Sequence, residues 1–246
     1  MNLILCEARE ISSDALLHLT DARARHVRAV LRASVGDTLR IGLLDGPKGR
    51  GVVVAIDEDG VTMGCEFEEG APPRPAVDLL LALPRPKVLQ RLWAQLAALG
   101  VGRIILTNAS RVERHYFDTH VLDEATYRPL LIEGLQQASD TQLPRVSIHK
   151  QFRVLVEDEL DGLSNDGLRL VAHPHVDRPL ASIAREASLP RALLAIGPEG
   201  GWNPFELELL RHHRFEPISL GPRILRTDTA CIALLALLHD TLRGRD

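Results

Sequence analysis

From Val77 onward the chain alternates between short unbroken apolar runs and longer runs with helical spacing. No other feature restricts the possible folds as much. A strand buried on both faces reads as a continuous apolar stretch, whereas a core-facing helix repeats its apolar residues every three or four positions. "VDLLLALP" has the first pattern. "KVLQRLWAQLAALG" has the second, with Val88, Leu89, Leu92, Trp93, Leu96 and Leu99 in register and Gly100 as a stop. "GRIILTNAS" predicts a strand, and "LDEATYRPLLIEGLQQAS" a helix with Pro129 near its start. "RVSIHK", "LRLVAHP" and "RALLAIGPEG" predict strands. A helix, the strand "EPISLG", a loop and a very apolar helix to about Leu242 complete the chain. Such alternation predicts an α/β domain with a mostly parallel sheet.

The first 70 residues read differently. Strand-like runs at Leu39–Leu43, Val52–Ile56 and Val61–Phe67 are punctuated by "DGPKG" and "EDG". One helix is expected near residues 20–32. A small β-rich domain over 1–70 is therefore expected. Pro72, Pro73 and Pro75 then make residues 71–76 a stiff linker to a second domain over 77–246. Aromatic residues are only 4% of the chain, so Leu, Val, Ile and Ala must build the cores. No stretch has the length and apolarity of a membrane span, and "MNLILCEARE" lacks the layout of a signal peptide. A soluble cytoplasmic protein is expected. Cys6, Cys65 and Cys231 are far apart and lack CxxC spacing, so they read as small buried hydrophobes. His173 and His175 flank a proline without an acid cluster, and His212 and His213 point apart on a helix. No metal is expected.

The net charge is −4, so any polyanion would have to meet a local basic face. Residues 22–32 supply one, with Arg23, Arg25, Arg28 and Arg32, one histidine and no acid. On a helix Arg25, Arg28 and Arg32 would face solvent, while Val27, Val30 and Leu31 would face inward. The planar guanidinium suits phosphate, so these four arginines are candidate RNA contacts.

The strand "LLAI" runs into "GPEGGWNP", three glycines and a carboxylate in one turn. Glycines let backbone approach a ligand closely. Asn203, Pro204 and Glu206 have the spacing of an N-cap, N1 and N3, a capping box. The lysine of a phosphate-binding P-loop and the GxGxxG of dinucleotide sites are both missing. Glu199 would repel a phosphate, and the helix start is capped by its own side chains. The turn fits a neutral or cationic ligand, and S-adenosylmethionine, a nucleoside with a sulfonium, meets that description. "ISLGPRILRTDTA" repeats the strand, Gly-Pro, loop and helix order. There Ile224 and Leu225 are apolar residues suited to wall a flat ring. "LVAHP" ends a third strand. Three such ends can enclose one nucleoside.

The segment "IGPEGGWNPFELELLRHHRFEPISLGPRILRTDTA" resembles the C-terminal signature of the bacterial 16S rRNA uridine-N3 methyltransferase family, within the SPOUT or α/β-knot methyltransferases. "HVRAVLR" with "VGDTLRI", and "LGVGRIILTNASRVER", resemble earlier segments of that family, so the likeness spans nearly the whole chain. The resemblance implies a small PUA-like RNA-binding β-barrel, a C-terminal trefoil knot, a homodimer and S-adenosyl-L-methionine as cofactor. It implies one cofactor loop from Gly197, Pro198, Glu199, Gly200 and Gly201, and another from Leu220, Gly221, Ile224, Leu225 and Arg226. His173 and Pro174 take the third. The implied reaction is methylation of N3 of a uridine in 16S rRNA of the small ribosomal subunit. Arg226 is then the candidate for stabilising the uracil imide, with Glu199 or Asp228 as proton acceptor. Two positions depart from the family's pattern: Ala98 stands where a glutamate is usual, and Asp140 where an arginine is usual. The rival readings are a SPOUT enzyme acting on another RNA atom, such as a ribose 2′-oxygen, and a non-catalytic RNA-binding module.

Overall fold

The computed structural model describes residues 2–164, 167–174, 176, 178, 180 and 191–243. The chain divides into two compact units, Met1–Arg74 with Ile132–Leu143, and Pro75–Leu131 with Pro144–Asp246.

In the first unit β1 (Ile4–Cys6), β2 (Leu16–Leu19), β3 (Thr38–Leu43), β4 (Lys48–Ile56) and β5 (Val61–Phe67) form one sheet in the order β1-β3-β4-β5-β2. β1 runs parallel to β3, and the other pairs are antiparallel. β4 shows the period of two that a half-buried strand requires. Gly49, Gly51 and Val53 face the core, and Arg50, Val52 and Val54 face solvent. At Gly49 a Cβ would lie 2.2 Å from the Glu66 carbonyl oxygen, so no larger residue fits between these strands. Leu17, Leu19, Ile41, Val53 and Met63 build the core with Ala24 and Val27. Burial pushes the Cys6 thiol up to about 12, in keeping with an inert core residue.

The helical segment corrects one expectation. α1 (Ala22–His26) starts at Asp21, whose carboxylate accepts from the Arg23 backbone N–H at 2.8 Å. It then widens into a single π turn, Val27–Leu31, which ends at Arg32 with φ 52°. The i→i+5 bonding of that turn rotates the later residues off an ideal helix face. Val27 is buried, but Val30 is 64% and Leu31 41% exposed, so they do not share the inward stripe. Arg23 also separates from the other arginines. Its guanidinium donates to the Leu5 carbonyl at 2.8 Å and pairs with Glu10 and Asp21. Arg25 and Arg32 are exposed, and half-buried Arg28 donates to the Asp57 carbonyl at 2.8 Å.

Residues 132–143 join the first unit although nothing in their sequence marks it. Asn2 and Leu3 donate backbone N–H groups to the Gln136 carbonyl. Asp140 Oδ1 accepts from the Thr141 and Gln142 backbone N–H groups, and Thr141 Oγ1 donates to the Gly46 carbonyl at 2.6 Å. Asp140 thus shapes a turn.

The second unit is α/β. β6 (Val77–Ala82), β7 (Val101–Thr107), β8 (Arg145–His149), β9 (Leu168–Ala172), β10 (Ala192–Ile196) and β11 (Glu216–Ile218) lie in the order β11-β9-β10-β6-β7-β8. Every pairing is parallel. All residues of β6 and β10 are buried, as central parallel strands demand. α2 (Pro86–Ala98) buries Leu89, Leu92, Trp93, Leu96 and Ala97, and Gly100 follows it at φ 77°. The Trp93 indole donates to the Val121 carbonyl at 3.2 Å. α3 (Glu124–Ala138) contains Pro129, and its residues from Ile132 onward belong to the first unit. α4 (Phe152–Val154) and α5 (Leu160–Leu163), joined by a π turn, occupy a segment in which no element was expected. α6 (Pro204–His212) and α7 (Thr227–Arg243) complete the unit. No helix among the described residues is long and apolar enough to cross a membrane.

The Arg23 guanidinium holds the Glu10 carboxyl below its ordinary value. A depressed folded value stabilises the fold above the unfolded pKa of about 4.3, and that contribution is lost as pH falls through the folded value. Glu10→Gln should therefore destabilise the first unit by about 1–3 kcal/mol at pH 7. Urea denaturation should show the gap between variant and parent closing toward pH 3.

Candidate functional site

The parallel sheet sends the carboxyl ends of β9, β10 and β11 to one edge, which is where open α/β sheets bind ligands. A cavity of about 310 Å³ lies there. Its walls include Ala172, His173 and Pro174 after β9, Ile196 through Trp202 after β10, and Ile218 through Gly221 with Arg223, Ile224 and Leu225 after β11. Thr227, Ala230 and Leu234 of α7 and Arg111 complete it. All these residues belong to the second unit. Three loops far apart in sequence therefore meet at one site.

The β10 loop is held from both ends. Asn203 Oδ1 accepts from the Glu206 backbone N–H at 2.8 Å, and Glu206 accepts from the Asn203 N–H at 2.8 Å. This is the expected capping box, with Pro204 at N1. The other oxygen of Glu206 has a task that the sequence does not announce. It accepts from the Ser110 backbone N–H at 2.6 Å, tying the loop after β7 to the glycine turn. Glu206 is only 3% exposed, so the carboxylate relies on these bonds for its solvation. One residue on, the Arg111 guanidinium donates to the Gly200 carbonyl. The Arg111 stem lies where a Cβ on Gly200 would be, 2.9 Å from its Cδ, which explains glycine at that position.

Trp202 is 4% exposed and its ring lies 5.3 Å from that of Phe152. Its indole Nε1 is a buried donor with no partner among the described residues, in the wall of the cavity. Gly197 packs on it so closely that a Cβ there would lie 3.1 Å from Nε1. Gly221 adopts φ 98°, which lets the third loop turn sharply. Ile224 is 77% exposed at the rim. The walls are mostly apolar and backbone, with the buried Trp202 N–H among them, and this suits a largely neutral ring system rather than a polyphosphate.

Of the sequence-derived cofactor residues, His173, Pro174, Gly197, Pro198, Glu199, Gly200, Gly201, Leu220, Gly221, Ile224 and Leu225 line this cavity. Arg226 does not line it, and it is exposed. Glu199 is exposed and accepts from the Arg85 backbone N–H at 3.2 Å, at the start of α2. Asp228 is off the wall and pairs with Arg91 at 3.3 Å. His175 lies outside the described residues. Arg111 and Trp202 were missed as site residues. Trp202 sits inside the glycine turn, whereas nothing local links Arg111 to it. Cys231 cannot act as a nucleophile beside the site, since burial, with the Asp228 carboxylate adding to it, pushes its thiol up to about 12.

Residues 72–239 match the RNA methyltransferase domain family. A Synechocystis sp. protein named ribosomal RNA small subunit methyltransferase E is 30% identical over 98% of this chain and 78% of its own length. The chain belongs to the ribosomal RNA small subunit methyltransferase E family. A Treponema pallidum member is 29% identical over 97% of this chain and 90% of its own. Among solved structures, a Neisseria gonorrhoeae methyltransferase E bound to S-adenosyl methionine superposes with a TM-score of 0.76 at 19% identity. It covers 98% of this chain and 97% of that one. A Legionella pneumophila protein in complex with the same cofactor gives 0.74 at 24% identity, covering 97% of both chains. Both structures share the fold described above.

Glu206→Ala would strip the acceptor from two backbone donors that join α6, the glycine turn and the β7 loop. It should cost on the order of 2–4 kcal/mol in thermal denaturation. It should also weaken binding of S-adenosylmethionine in a calorimetric titration.

Proposed function

We propose that this chain transfers a methyl group from S-adenosylmethionine to N3 of a uridine in 16S rRNA. The observation that carries the reading is the single cavity formed by the β9, β10 and β11 loops in a member of an rRNA methyltransferase family. The buried Trp202 N–H and the glycine-rich walls suit the cofactor. S-adenosylmethionine, when bound, supplies an electrophilic methyl group on its sulfonium. Gly197, Pro198, Gly200 and Gly201 on one side, and Leu220, Gly221, Ile224 and Leu225 on another, would hold it, with His173 and Pro174 at the third.

Uracil N3 must lose its proton as it gains the methyl group, and in a duplex that atom is hidden, so the target base is unpaired or extruded. Glu199 is the proposed proton acceptor because it alone of the two candidate carboxylates lines the cavity. Asp228 is the alternative, already engaged by Arg91. Arg226, two residues before it, is the proposed stabiliser of the imide charge. The first unit is proposed as the PUA-like RNA-binding domain, contacting phosphate through Arg25, Arg28 and Arg32, with Arg23 holding the helical segment in place. The second is proposed as a SPOUT domain with its C-terminal trefoil knot. A homodimer is proposed as the working form, since Ile232 and Leu237 leave apolar surface exposed on α7.

Nucleoside mass spectrometry of treated rRNA tests the reading, with 3-methyluridine as the expected product. Ribose methylation would redirect the assignment, and no methylation would leave a binding module. Arg226→Ala and Glu199→Ala should each lower kcat about 100-fold or more with little change in cofactor affinity. Full turnover in both would remove these roles. Leu237→Glu should halve the mass measured by light scattering.

A further inference from the structure

We propose that the solvent face of the β3–β4–β5–β2 sheet is an RNA-contact surface of the first unit, separate from the arginines of the α1 segment. The proposal rests on the rRNA reading above and adds a docking surface to it. The strand registers place Thr38, Arg40, Lys48, Arg50, Val52, Gly64, Glu66, Leu16, His18 and Thr62 on one side of the sheet, opposite the core residues. Arg40 lies directly across from Arg50. Like charges in facing positions destabilise a strand pair, so their pairing calls for a counter-charge. Neither arginine closes an ion pair among the described residues, and a single carboxylate, Glu66, lies beside them in register. Both arginines are exposed, and neither side chain has a hydrogen-bond or ion-pair partner among the described residues. Glu66 faces Arg50 from the other flank without closing an ion pair. Lys48, two residues from Arg50 on the same face and half-buried, adds a third cation.

The rest of the face fits the same occupant. Val52 is 42%, Val54 46% and Leu16 37% exposed. Gly64 lies between Val52 and Leu16 in register, and a Cβ there would meet only a Val54 methyl at 3.9 Å. The result is a shallow apolar strip beside three cations. A nucleic-acid strand presents that complement, with phosphates for the cations and sugar and base surface for the strip. The face carries no aromatic ring apart from His18, so phosphate attraction outweighs stacking and the contact is largely independent of sequence.

The test compares wild type with Arg40→Gln/Arg50→Gln, Arg40→Lys/Arg50→Lys and Arg40→Glu. Affinity is measured for deproteinised small-subunit rRNA and for intact small subunits across a salt series. The glutamine pair should weaken RNA binding at least ~10-fold near 0.1 M salt and flatten the salt slope by about 1.4–1.8, the loss of two phosphate contacts. The lysine pair should keep most of the affinity. Arg40→Glu places opposite charges across the strands, so its melting temperature should match or exceed wild type while RNA binding falls. S-adenosylmethionine affinity should be the same in all four proteins. Unchanged RNA affinity and slope in the glutamine pair overturn the proposal, as does a change in oligomeric mass in place of RNA affinity. A wild type that neither binds nor methylates rRNA overturns the functional reading, and this proposal with it.

Discussion

All six strands of the second unit run the same way, and the site depends on that constraint. A parallel strand cannot return by a hairpin, so each connection must cross the sheet and every carboxyl end emerges on one edge. Neighbouring strands β11, β9 and β10 then bring three loops together that are separated by about twenty residues or more along the chain. The glycine turn, the Gly-Pro loop and the His-Pro end become three walls of one cavity.

Within that frame one buried carboxylate sets the geometry. Glu206 closes the cap of α6 and also takes the Ser110 N–H, so the helix start and the loop after β7 move together. Arg111, carried by the same loop, then lies over Gly200. The site is assembled by backbone donors converging on one acidic side chain, and Arg111 and Trp202 pack so closely on Gly200 and Gly197 that larger residues there would crowd them. Charged groups are kept to the rim, where Glu199 and Arg223 meet solvent.

The first unit handles charge in two ways. Arg23 is neutralised by Glu10 and Asp21 and stabilises the fold. Arg40 and Arg50 face each other with no such partner. A sequence counts all of these as equal positive residues. Burial and register separate a structural arginine from one available to a polyanion, and the same separation divides Arg23 from Arg25 in the α1 segment.

What the sequence determined by itself was local. Apolar runs on β6 and β10, the spacing on α2 and the capping box at Asn203 and Glu206 are properties of neighbouring residues, so they could be read directly. The α/β class followed from their alternation, and the reaction class from motif likeness. Tertiary structure decided the rest. The spatial order β11-β9-β10 is not the chain order, Arg111 reaches the glycine turn across 89 residues, and residues 132–143 join the first unit. One π turn exposed Val30 and Leu31 against a simple helical reading. Each of these depends on which surfaces meet after chain crossover, and periodicity carries no record of that.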